Sequence, residues 1–81
     1  MGQSKSIFDS RYKKLVVFLT KLRMDSGLSQ KKFSKLSGLQ PTFIARTELR
    51  ERRLDLIEAI DYMKALGMSK EEIIKKIKEL I

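Results

Sequence analysis

Apolar residues in this chain recur at steps of three and four, and no stretch alternates like a strand. Phe8, Tyr12, Leu15, Val16, Leu19 and Leu22 form the first such stripe. Asp9 or Ser10 can cap its start, and Gly27 suits its end. Four more helix starts follow. Ser29 caps one, with Leu28 and Phe33 spaced as a hydrophobic staple. Leu39, Gln40 and Pro41 repeat that layout, with Pro41 at a first helical position, where a missing N–H costs nothing, and Ile44 closing the staple. Asp55 with Glu58 and Ser69 with Glu72 each spell a capping box. Gly67 fits a left-handed helix end, and Met68 with Ile73 form a further staple.

These signals predict an all-α fold: five helices at about 9–25, 30–36, 41–47, 56–66 and 70–80, behind a flexible tail over 1–6. With 81 residues the chain holds one small domain, expected over 7–81. It has no cysteine to staple a core, so stability has to come from helix packing, extended by oligomerisation.

Charge changes the picture more than composition does. The net charge is +8, and it is uneven. Residues 1–24 carry +5, residues 25–54 carry +4, and residues 55–81 carry −1. A basic first two-thirds points to a polyanionic partner. Catalysis is not expected: there is no histidine or cysteine, no Gly-rich phosphate loop, and the carboxylates sit beside Lys or Arg or at helix caps. No metal and no cofactor are expected. No apolar run approaches the roughly 20 residues of a membrane span, and "MGQSKSIF" lacks an apolar secretory core, so a cytoplasmic location is expected.

The second and third helices are each about one and a half to two turns long, too short to stand alone. Ser37-Gly38-Leu39 joins them, and Gly38 permits the positive φ of a steep bend. This is the layout of a helix-turn-helix, in which the second of the two helices enters a DNA major groove. Leu39 and Ile44 then point inward, while Pro41, Thr42 and Arg46 face out.

On these residues the chain resembles the phage-repressor, Cro-like (XRE) helix-turn-helix family. The resemblance runs from Leu22 to Gly67 and rests on the combined pattern "GLSQ…F…SGL…TFI.R.E". Small controller proteins of restriction-modification systems are similar in size and five-helix layout. The resemblance implies that Gln30 clamps a phosphate, that Gln40, Pro41, Thr42 and Arg46 face bases, and that Arg23 and Glu48 form a structural ion pair. It also marks departures: Pro41 has no group with which to hydrogen-bond a base edge, Thr47 stands at a usually aliphatic site, and "LRERRL" replaces the usual Asn-Gly turn.

Arg46 is the expected guanine reader. Ser29 and Gln30, at a helix start, are expected at phosphates, as are Arg50, Arg52 and Arg53 in the loop after the third helix. Phe43 is placed either in the core or along the sugar-phosphate backbone. The last third is rich in apolar residues that one small domain cannot all cover. Ile60, Met63, Ile73, Ile77, Leu80 and Ile81 are expected at a homodimer interface, which sets two recognition helices about one DNA turn, ~34 Å, apart. The expected function is a sequence-specific regulator on a palindromic duplex operator, most simply a repressor or autoregulator. The alternative is a protein-interaction module, such as an antitoxin or a polymerase-contacting regulator, that uses the apolar C-terminal surface; RNA polymerase or another protein then joins DNA and the chain itself as partners.

Overall fold

Each helix begins at a residue that organises its own first turn. The computed structural model describes residues 9–81, so the tail over 1–6 and the stripe's first member, Phe8, lie outside the described residues. The described residues form five helices and no strand: α1 (Ser10–Asp25), α2 (Gln30–Ser37), α3 (Pro41–Glu48), α4 (Leu56–Ala65) and α5 (Lys70–Leu80). Asp9 caps α1 by accepting the N–H of Arg11, and Ser29 caps α2 by accepting that of Lys32. Asp55 with Glu58 and Ser69 with Glu72 form complete capping boxes on α4 and α5. The α3 start has no side-chain cap; Pro41 alone pre-sets its first turn.

The inward stripes meet in one core of Leu15, Leu19, Phe33, Ile44, Ala59, Tyr62, Met63, Leu66 and Ile73. Phe33 and Ile44 are both 0% exposed, so the two short helices are held by one deep side chain each. Burying such a side chain contributes about 1.5–3 kcal/mol, more than an eight-residue helix gains from propensity. Phe33 meets Tyr62 edge to face at 5.0 Å between centroids. The three staples close as the spacing predicts: Leu28, Leu39 and Met68 are half-buried against the core that holds Phe33, Ile44 and Ile73. α3 packs on α1 and α2, α4 on α2, and α5 on α4.

Met63 and Ile73 correct the expected interface. Both are buried inside the protomer, at 1% and 6% exposure. Met63 belongs to the inner stripe of α4 beside Tyr62, and Ile73 is the staple residue of α5. Both are used before any partner arrives. Ile60, Ile77 and Leu80 are half-buried against the core, and Ile81 is almost fully exposed.

Candidate nucleic-acid interface

The joint between α2 and α3 depends on one backbone conformation. Gly38 ends α2 at φ +78°, in the left-handed region that a Cβ disfavours. Ser34 donates its hydroxyl to the Leu39 carbonyl, and Ser37 accepts the Leu39 N–H at 3.1 Å, so the reversal's polar groups are satisfied locally. α3 then leaves with Ile44 and Thr47 pointing inward. Thr47, at 1% exposure, donates its hydroxyl back to the Phe43 carbonyl at 2.8 Å. That bond explains how a polar residue sits where an aliphatic one is usual: its one donor is used within the helix.

What remains outward on α3 is Gln40, Pro41, Thr42 and Arg46, all exposed. Among the described residues, Arg46 makes no ion pair. Lys31, Lys32 and Lys35 on α2 are exposed as well, and neither α2 nor α3 has an acidic residue in its first turn. Neither helix therefore has a carboxylate within its own first turn to offset its positive dipole end.

A buried charge network fixes the far end of α3. Arg23, on α1, grips Glu48 with two bonds, Nε to Oε2 at 2.6 Å and Nη2 to Oε1 at 3.0 Å. Its remaining Nη1 donates to the Leu28 carbonyl. Both side chains are about nine-tenths buried, and Glu48 holds the Arg23 guanidinium above the usual arginine range. Gln30 joins this network: its Nε2 donates to Glu48 Oε1 at 2.9 Å. The side chain expected at a phosphate therefore ties α2 to α3, and its N–H, at the first position of α2, is the group left toward an anion.

The loop arginines do not form the single basic cluster that their spacing suggests. Arg52 lies with its guanidinium 4.2 Å from the centre of the Phe43 ring, and its Nη2 bonds the Glu58 carboxylate at 3.1 Å. It is a strut between α3 and α4, and Phe43 is half-buried beneath it. Arg50 lies in a groove against α1, beside Val17, Thr20 and Met24. Arg53 is exposed near Tyr12, Leu15 and Leu80. Tyr12 is the residue that sequence reading misses here. Its hydroxyl donates to the Arg52 carbonyl at 3.0 Å and accepts the Leu54 N–H at 3.1 Å, pinning the loop to α1. The available signal is a polar tip on an otherwise apolar stripe, which asks for a partner when buried.

A sequence model of the helix-turn-helix family matches residues 19–73, more than half of the chain. No curated protein matches. Among solved structures, the chain is similar to the restriction-modification controller protein C.Esp1396I, determined as a tetramer in complex with its natural 35 base-pair operator. The identity is 26% and the TM-score 0.75, over 89% of this chain and 96% of that one. The matched stretch contains the α2–Gly38–α3 joint together with α4, and this chain belongs to the XRE-type helix-turn-helix family.

Proposed function

We propose that this protein is a sequence-specific regulator that binds duplex DNA through α3 and acts as a homodimer. The observation that carries the reading is the division of α3: Ile44 and Thr47 are buried, while Gln40, Pro41, Thr42 and Arg46 stand exposed along one side. A helix so held presents its polar side to a major groove. Arg46 reads a guanine through its two-pronged guanidinium, a contact worth about 1–3 kcal/mol of discrimination. Thr42 and Pro41 touch a thymine methyl or shape the backbone, and Gln40 flanks them. Phosphates are held by the Ser29 hydroxyl, whose oxygen caps α2 while its proton stays free to donate, by the Gln30 N–H, and by Arg53. The similarity to a controller protein seen on its operator supports this assignment.

The dimer reading rests on α4 and α5. Leu56 and Ile57 are each 64% exposed, Ile74 is 48% and Ile81 is 96%. Ile60, Ile74 and Ile77 line a groove between the two helices, over the buried Ile73. A symmetric partner covers this surface and presents two α3 helices to one face of the duplex. Occupying a site over a promoter represses without any effector domain, so repression or autoregulation in the cytoplasm is the simplest outcome. No described helix is long and apolar enough to cross a membrane.

Selecting bound sequences from a random duplex pool tests the reading. The expected product is an inverted repeat whose half-sites are centred about 10 base pairs apart, bound with an affinity that falls steeply with salt. Recovery of unenriched sequence rejects base reading. Equal affinity at low and high salt rejects DNA as the partner.

A further inference from the structure

A palindrome is read only if two α3 helices stand at the right separation, and that separation is set inside each protomer. The dimer surface lies on α4 and α5, the reading side on α3, and a two-fold axis doubles any offset between them. A shift of about 1.7 Å within each protomer therefore moves the two α3 helices apart by roughly one base-pair step, 3.4 Å. Yet α3 with α4 is not among the principal helix pairings: α3 packs on α1 and α2, and α4 on α2 and α5. The chain between them, residues 49–55, carries no helix or strand and leaves α3 through a left-handed residue, Arg50 at φ +57°.

That loop is tied to α1, α3 and α4. Tyr12, on α1, donates its hydroxyl to the Arg52 carbonyl at 3.0 Å and accepts the Leu54 N–H at 3.1 Å. The Arg52 side chain spans the gap between the other two helices. Its Cζ lies 4.2 Å from the centre of the Phe43 ring on α3, and its Nη2 donates to both Glu58 oxygens on α4, at 3.2 and 3.1 Å. Glu58 is itself fixed, because its Oε1 accepts the Asp55 N–H at 3.0 Å as half of the α4 capping box. Arg52 Nε is buried, so the planar group is wedged between ring and carboxylate, although the side chain as a whole is 39% exposed. An ion pair this exposed stabilises a fold little. What the arrangement fixes is geometry.

We infer that Arg52 is the positioning residue that holds α3 at a set offset from α4 and so selects the separation of the two half-sites. It reads no base; it acts on specificity through the spacing of the palindrome. Phe43 and Glu58 are the two ends of the strut. This rests on the reading of the protein as a DNA-binding homodimer, and the test separates the two.

The experiment uses the full chain and fluorescein-labelled duplexes, read by anisotropy, with thermal unfolding in parallel. The duplexes are palindromes of one half-site taken from the pool selection, at the selected separation and at one and two base pairs more or less, with a random-sequence duplex alongside. Two base pairs turn a half-site by about 70° around the duplex, so the wild type is expected to favour the selected separation by at least about tenfold. In Arg52→Met that preference shrinks by about threefold to tenfold, as expected for one partly exposed ion pair and one ring contact per protomer, while the random duplex is bound much as before. Glu58→Gln keeps the capping box, which glutamine also completes, and is expected to shrink the preference too, with a melting temperature near that of the wild type. An unchanged preference in both variants, with the wild type binding normally, overturns the positioning role and leaves the DNA reading intact. Equal weakening of Arg52→Met on every duplex with a shallower salt slope, and tighter binding of every duplex by Glu58→Gln, overturns it in favour of a phosphate contact. Equal weakening on every duplex with an unchanged slope and a lowered melting temperature overturns it in favour of a merely structural role. A wild type that binds no palindrome better than random duplex overturns the DNA reading and this role together.

Discussion

Replacing Arg23 with methionine removes the cation from the buried pair that joins α1, α2 and α3. The change is close to isosteric along the stem, so packing is largely kept. What it leaves is Glu48, with a side chain 9% exposed and only the Gln30 amide, at 2.9 Å, to stabilise its charge. The Leu28 carbonyl also loses its guanidinium donor. Removing one partner of a buried ion pair costs about 3–5 kcal/mol, because the remaining charge is stranded in a poorly solvated site. Domains of this size have roughly 4–12 kcal/mol in total, at about 0.05–0.15 kcal/mol per residue. Arg23→Met should therefore bring the protein close to unfolding, with the melting temperature lower by at least about 12 °C. Urea unfolding followed by circular dichroism gives the loss directly. The double variant Arg23→Met with Glu48→Gln separates charge from packing: it removes the stranded carboxylate, and the loss should shrink to about 1–2 kcal/mol, the cost of an unsatisfied carbonyl. A single-variant loss below about 1 kcal/mol refutes the argument, since the pair is then screened like a surface one. Failure of Glu48→Gln to rescue refutes it too, by showing that shape and not charge was lost.

Four other outcomes follow from the same structure. The Tyr62 hydroxyl is buried without a hydrogen-bond partner, so Tyr62→Phe should stabilise by about 1 kcal/mol in urea unfolding; a clear loss shows that the hydroxyl is satisfied. Burial also pushes the Tyr62 hydroxyl well above its ordinary range. Its folded form thus holds the proton longer than the unfolded one, and the stability this provides is full below about pH 10 and lost as pH rises beyond it. Tyr62→Phe should accordingly be less sensitive between pH 10 and 11 in melting temperature, and an identical alkaline loss contradicts this. Arg46→Ala is exposed and should leave the melting temperature within about a degree, while weakening the selected site more than random duplex and relaxing one base per half-site; equal losses on both duplexes mean phosphate contact only. Glutamate at Ile57 and Ile74, which are exposed in the protomer, should lower dimer content in sedimentation without unfolding the chain, and an unchanged sedimentation profile rejects α4 and α5 as the interface.

The legible part of this protein is its local grammar. The Asp55–Glu58 and Ser69–Glu72 boxes, the three staples and the glycine at 38 each depend on residues within five positions of one another, and each forms. Helix ends fall within a residue or so of the predicted ones for the same reason. The Arg23–Glu48 pair is long-range, and only the family resemblance made it visible. What could not be read is where long polar side chains go once the helices are packed. Arg52 is drawn to the Phe43 ring and the Glu58 carboxylate, an outcome of where α3 and α4 lie around the loop that no spacing encodes. Gln30 turns to Glu48 because the end of α3 comes back beside the start of α2. Met63 and Ile73 belong to apolar stripes broad enough to supply both core and surface, and periodicity alone does not divide them. At Arg50 the residue itself gives no sign of a left-handed turn; the signal is the Asn-Gly turn that the resembling family usually carries after Glu48 and that this chain replaces.

The account turns on α3 presenting its polar side to duplex DNA. Amide chemical-shift mapping with a selected duplex measures this most directly. The account predicts that the largest shifts fall at residues 29–31 and 40–46, with the outer faces of α4 and α5 unmoved apart from dimer effects already present without DNA. Shifts concentrated on α4 and α5, with Thr42 and Arg46 unperturbed at saturating duplex, would contradict it.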